Sequence, residues 1–161
     1  MNAIEMLKQQ HRQVAKMFKE FETAKSAGPR RKIFEQIADA LAVHATIEEK
    51  HFYPAVKKKQ TEDILLESVE EHLEIKRVIA DLLAMSADDE NFDAKVKVLQ
   101  EDVEHHVEEE QDEMFPKVEK LFDEETLEAI AEAMQETQDE LISEGDPRNA
   151  IPGETDAAAP L

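Results

Sequence analysis

The sequence predicts an all-α protein: an up-down-up-down antiparallel four-helix bundle followed by an additional C-terminal helix. Three observations carry this. Turn formers are scarce, with three glycines and six prolines in 161 residues, whereas the helix-favouring Ala, Leu, Glu, Lys and Gln abound. Apolar residues recur at spacings of three and four along four long stretches, the period of a helix that buries one face. No stretch alternates apolar and polar residues as a half-buried strand would. The connections are short, so successive helices should be antiparallel neighbours.

The first helix begins at Asn2, with Glu5 three residues on in the manner of a capping box, and ends at "AGP", residues 27–29. Its seam is Ile4, Leu7, His11, Val14, Phe18 and Phe21. The second runs from about Arg30 into "FYP", with Ile37, Leu41, His44, Glu48, His51 and Ala55 on the seam. Thr61 can cap the third, which carries Leu65, Val69, His72, Ile79 and Leu83. "SADDEN", residues 86–91, is a polar turn before the fourth, marked by Val96, Leu99, Val103, His106 and Glu110. After Asp123 a fifth helix places Leu127, Ile130, Met134 and Leu141 on one face, and Gly145-Asp146-Pro147 stops it. The expected organisation is a bundle over 1–122, the additional helix over 123–145, and a flexible tail over 146–161, where Pro, Gly and small residues lack periodicity.

Charge and hydropathy exclude several classes of function. The net charge of 19 minus 39, or −20, disfavours contact with nucleic acid or anionic membranes. No apolar stretch approaches the ~20 residues of a membrane span. The N-terminus lacks the basic and apolar regions of a secretory signal, so a cytoplasmic location is expected. Without cysteine, metal ligands must be imidazoles and carboxylates.

Those groups interrupt the seams. Helical rise tests whether they meet. His11 lies 16 residues before Ala27, roughly 24 Å along the axis. On the returning helix His44 and Glu48 lie 14 and 18 residues after Arg30, about 21 and 27 Å. The second hairpin repeats the arrangement, with His72 14 residues before Ser86 and with His106 and Glu110 14 and 18 after Phe92. All six side chains fall in one layer. Each His-x-x-x-Glu puts an imidazole and a carboxylate on one helix face, able to hold a single metal or to bridge two. The intervals from His11 to His44 and from His72 to His106, 33 and 34 residues, with Pro at +10 from each later histidine, mark an internal repeat suited to a two-metal centre.

A lone histidine on an apolar face is ordinarily a hydrogen-bonded core residue, and a lone helical glutamate is ordinarily solvated. Six together in the core would be costly without a cation. Seam phase selects His106 over the adjacent His105. His51 is read as a rim histidine, and Tyr53, off the seam, as structural. Lys76 is expected to snorkel to the surface.

At these residues the sequence resembles the hemerythrin-like, HHE cation-binding family: a histidine early in helix one, "HATIE…FYP", "EHLEI" and "HVEEE…MFP" over about residues 1 to 120. The resemblance implies a non-haem di-iron centre with an oxo or hydroxo bridge. His11, His44, His72 and His106 would be terminal ligands, and Glu48 and Glu110 would bridge. It also implies a small partner such as O2, NO or peroxide, to be bound, sensed or converted, or a role in sensing iron. Oxygen carriers of the family have His-x-x-x-His on helix three, whereas here His72 is followed at +4 by Lys76, which weighs against reversible oxygen carriage. Zinc or manganese would also suit such ligands. The competing expectations are a ferritin-like iron-oxidising store, of whose Glu-x-x-His motifs only Glu48 to His51 is present, and a metal-free helical adaptor.

Overall fold

A computed structural model describes residues 1–161. It is all-helical. Helix α1 spans Ala3–Thr23, and α2, Ala27–Ile47, continues through a π-helical turn, Glu48–Phe52, into the short α3, Tyr53–Val56. Helix α4 spans Glu62–Leu83. Helix α5, Phe92–Glu109, likewise passes through a π turn, Glu110–Met114, into α6, Phe115–Leu121. The four long rods form the antiparallel bundle. Helix α7, Glu124–Glu144, packs on α1 and on the end of α2, and a 3-10 helix spans Pro147–Glu154. No helix is long and apolar enough to cross a membrane.

The capping box forms. The Asn2 side chain accepts from the Glu5 amide at 3.0 Å, and the Asn2 amide donates to the Glu5 carboxylate at 2.9 Å. Two boundaries differ from expectation. Helix α1 stops at Thr23, and "AGP" forms the first turn of α2, where backbone N–H groups have no intrahelical acceptor and a proline therefore costs no hydrogen bond. Thr61 does not cap α4 with its side chain; its hydroxyl donates back to the Val56 carbonyl at 2.8 Å.

The π turns are the main departure from the sequence reading. Each begins at a seam glutamate and precedes a proline. Tyr53 N–H bonds the Glu48 carbonyl, and Phe115 N–H bonds that of Glu110, each five residues back. Proline removes a helical donor and crowds the carbonyl four residues earlier; a widened turn gives that carbonyl room. The inserted residue rotates everything downstream. Burial after Glu48 therefore falls on Phe52, Tyr53 and Val56, while Ala55 is exposed and His51 half-buried.

The segment expected to be a flexible tail is folded instead. Ile151 is 2% exposed. Arg148 clasps Glu35 and Asp39 of α2 at 2.8 and 3.0 Å, and Arg77 of α4 donates to the Thr155 carbonyl. The apolar core forms two clusters of nearly equal size, one toward α3, α6 and α7 and one toward the opposite end of the bundle. Between them lies a polar layer.

Candidate metal centre

The structure brings the six predicted residues together in that layer. All are buried, Glu48 and Glu110 completely. Their inward atoms form two groups, His11, His44 and Glu110, and Glu48, His72 and His106, with the atoms of each group within 4.8 Å of one another. The carboxylates link the groups. Glu48 Oε1 lies 3.0 Å from His44 Nε2, 3.2 Å from His72 Nε2 and 3.9 Å from His106 Nε2. Glu110 Oε1 lies 3.0, 3.4 and 4.0 Å from the Nε2 atoms of His11, His106 and His44.

Each imidazole is oriented from behind. His11 Nδ1 donates to the Gln111 amide oxygen at 2.8 Å and His44 Nδ1 to that of Gln10 at 2.6 Å. His72 Nδ1 donates to Glu49 and His106 Nδ1 to Glu71, both at 2.7 Å. With the hydrogen fixed on Nδ1, a neutral ring aims the Nε2 lone pair inward, the arrangement that positions metal-bound histidines. The His72 and His106 Nε2 atoms face each other at 3.1 Å, which is unfavourable for two lone pairs unless positive charge lies between them.

Electrostatics point the same way. Neither Glu48 oxygen has a hydrogen bond of acceptable geometry despite complete burial, and such a group needs a compensating charge. Burial alone would lower the pKa of His44, but Glu48 and Glu110 beside it raise it to about 9. Against the same effect of burial, Glu110 and Glu48 lift His106 well above the ordinary range. Burial pushes Glu48 up, yet His44 pulls it well below the usual carboxylate range. The layer attracts positive charge. Four imidazole nitrogens and two carboxylates, without sulfur, suit a first-row divalent metal, so the residues present fit the expected group.

The remaining histidines turn elsewhere. His51 is hydrogen-bonded through Nε2 to Thr137 of α7 at 2.7 Å. His105 is exposed and pairs with Glu109 at 3.0 Å and Glu71 at 3.3 Å, a third cluster on the outside of the bundle. His106→Ala should accordingly lower retained metal by half or more, whereas His105→Ala should leave it unchanged. Elemental analysis of the two purified variants checks this, and the reverse pattern would place His105 in the centre.

Sequence reasoning missed Tyr53. Its hydroxyl donates to Glu110 Oε2 at 2.9 Å and lies 3.3 and 3.4 Å from the Nε2 atoms of His72 and His106. Burial, then the charges of Glu110 and Glu48, push its pKa well above the usual phenol value, so the group stays protonated and donates. The residue at the same place in the second repeat, Phe115, stacks on His11 with ring centroids 6.0 Å apart. The signal was the proline one residue on, which marks the widened turn. Lys76 was also misread. It is buried and held by Glu49 at 2.9 Å and Glu154 at 3.1 Å.

Fold and layer together define a helical-bundle cation-binding protein of the histidine–carboxylate class. A family model for the Hemerythrin HHE cation binding domain matches residues 2–118, and the chain belongs to that family. A solved hemerythrin HHE cation-binding domain-containing protein from Mycobacterium kansasii superposes with a TM-score of 0.79 at 20% identity, covering 94% of this chain and 97% of that one. A protein from a Nostoc species described as a DNA nickase is 29% identical over 115 residues, 71% of this chain and 33% of its own length. The chain thus spans about a third of that relative.

Proposed function

We propose that the chain is a non-haem di-iron protein that reacts with a small ligand, O2, NO or peroxide, rather than carrying oxygen reversibly. The observation that supports it best is the sharing of two buried carboxylates between two facing histidine pairs. In this reading His11 and His44 would hold one iron and His72 and His106 the other, with Glu48 and Glu110 shared between them, and the pair would supply one-electron chemistry toward small molecules. The protein's own part is to fix the four imidazoles through Gln111, Gln10, Glu49 and Glu71, to donate a hydrogen bond from Tyr53 to Glu110, and to keep bulk water out between two apolar clusters. Lys76, at the position where carriers place a further histidine, is engaged by Glu49 and Glu154, which favours reaction over storage of the ligand.

Residues 1–122 carry this chemistry in our reading, and the helix over 123–145 supports it, since Gln138 accepts from the Gln10 amide that orients His44. A nickase role is not carried over, because the match spans a third of that relative and a net charge of −20 disfavours DNA contact. Iron-reconstituted protein should contain two irons per chain. When reduced anaerobically and mixed with oxygen it should pass to an oxidised product, followed optically, that releases no oxygen under vacuum. Repeated release with return of the reduced spectrum would make it a carrier.

A further inference from the structure

A cavity of about 60 Å³ opens beside the metal layer, with His11, His44, His72 and His106 at its inner end. Its sides are mostly aliphatic, among them Val14, Leu41, Ile79 and Val103. Its outer wall comes from the 3-10 segment, through Pro147, Ala150 and Ile151. That segment lies beyond the residues matched by the family, 2–118. It is fastened on two sides, by Arg148 to α2 and by Glu154 to Lys76 of α4. Ile151 belongs to the same buried cluster as Val14, Leu41 and Ile79, so the wall is continuous with the core.

We propose that Pro147–Glu154, with Ile151 at its centre, closes a gas-sized cavity onto the centre and restricts it to small uncharged ligands such as dioxygen or nitric oxide. The inference rests on the dinuclear reading and narrows it. Roughly 10–15 Å³ of such volume admits one water, and an apolar cavity of about 150 Å³ takes benzene, so about 60 Å³ has room for a diatomic molecule and is too small for a substrate of benzene size or larger. An uncharged diatomic sheds little hydration on crossing an aliphatic wall. Hydrogen peroxide loses hydrogen bonds there and an anion loses its ionic hydration. The one lysine on the wall gives no anion a path, because Glu49 and Glu154 already flank its ammonium group.

Xenon, uncharged and of similar size, enters dry apolar cavities and reports on this one without metal. Metal-free full-length protein should bind xenon beside Ile151, seen crystallographically or by xenon NMR, and Ile151→Trp should abolish it. Ala150 is exposed, so Ala150→Phe blocks the mouth without entering the core and serves if tryptophan at 151 unfolds the chain. In iron-loaded protein, either blocked variant should combine with nitric oxide at least tenfold more slowly at unchanged iron content. Ile151→Ala should speed azide binding at least tenfold. Absence of xenon from wild-type protein, or wild-type nitric oxide rates in the blocked variants, overturns the proposal. A chain holding two irons but no xenon overturns the cavity alone. One holding xenon but no iron overturns the dinuclear reading, and the proposal with it.

Discussion

In the dinuclear centre proposed above, Glu48→Gln should cost the protein both metal ions, not one. The carboxylate is completely buried, and its Oε1 faces imidazoles of both histidine pairs at 3.0 Å from His44 and 3.2 Å from His72. Glutamine keeps the shape, removes the charge, and offers its single oxygen as a far weaker bridge between two cations. The loss should therefore extend across the layer, whereas a terminal ligand lost from one half leaves the other half intact. Heat provides a second measure. A metal that binds only the folded state stabilises it by about 4 kcal/mol when free at about 1,000 times its Kd. For a chain of this size each kcal/mol moves Tm by roughly 2–4 °C, so chelation should lower the wild-type Tm by about 8–16 °C for each ion removed. The Glu48→Gln protein should show no metal-dependent shift. A variant that retains one tightly bound ion, or that keeps the full thermal shift, would show that Glu48 does not bridge.

The six-residue layer was legible because it needs only axial rise and a constant seam. Both hold along α1, α4 and the first parts of the second and fourth rods. The seam argument fails just past Glu48 and Glu110, where the π turns insert a residue. Counting at the α-helical period then selects His51 and Ala55, and the buried residues are Phe52, Tyr53 and Val56. The prolines were visible and gave the matched interval, but a proline in a helical pattern can end, kink or widen the helix. Only the packing around it decides. The C-terminal segment carries no periodicity to read. It is anchored by the buried Ile151, by the ion pairs of Arg148 with acids more than a hundred positions earlier, and by Lys76 and Arg77 of α4, contacts that leave no local trace. Lys76 was misread for the same reason, since one of its two carboxylate partners, Glu154, lies in that segment.

The two halves of the centre should bind metal unequally, with the half built from His72 and His106 the tighter. Both of these imidazoles donate from Nδ1 to carboxylates, Glu49 and Glu71, while His11 and His44 donate to the neutral amides of Gln111 and Gln10. A carboxylate behind an imidazole makes the inward nitrogen a stronger donor to a cation, and partners of this kind typically change metal affinity 10–100-fold. Charge-assisted hydrogen bonds are roughly twice as strong as neutral ones. An advantage of about tenfold for each ring, about a hundredfold for the pair, is therefore expected. Lys76 tempers it on the His72 side by sharing Glu49; on the His106 side the exposed His105, 3.3 Å from Glu71, does so more weakly. His11→Ala should keep one tightly bound ion, whereas His72→Ala should hold its remaining ion about a hundredfold more weakly. Manganese titrations followed by paramagnetic resonance measure both. Replacing Glu49 and Glu71 together by glutamine should bring the two single-histidine variants to nearly equal affinity. If His11→Ala and His72→Ala already bind alike with the carboxylates in place, the acids behind the rings orient them and do nothing more.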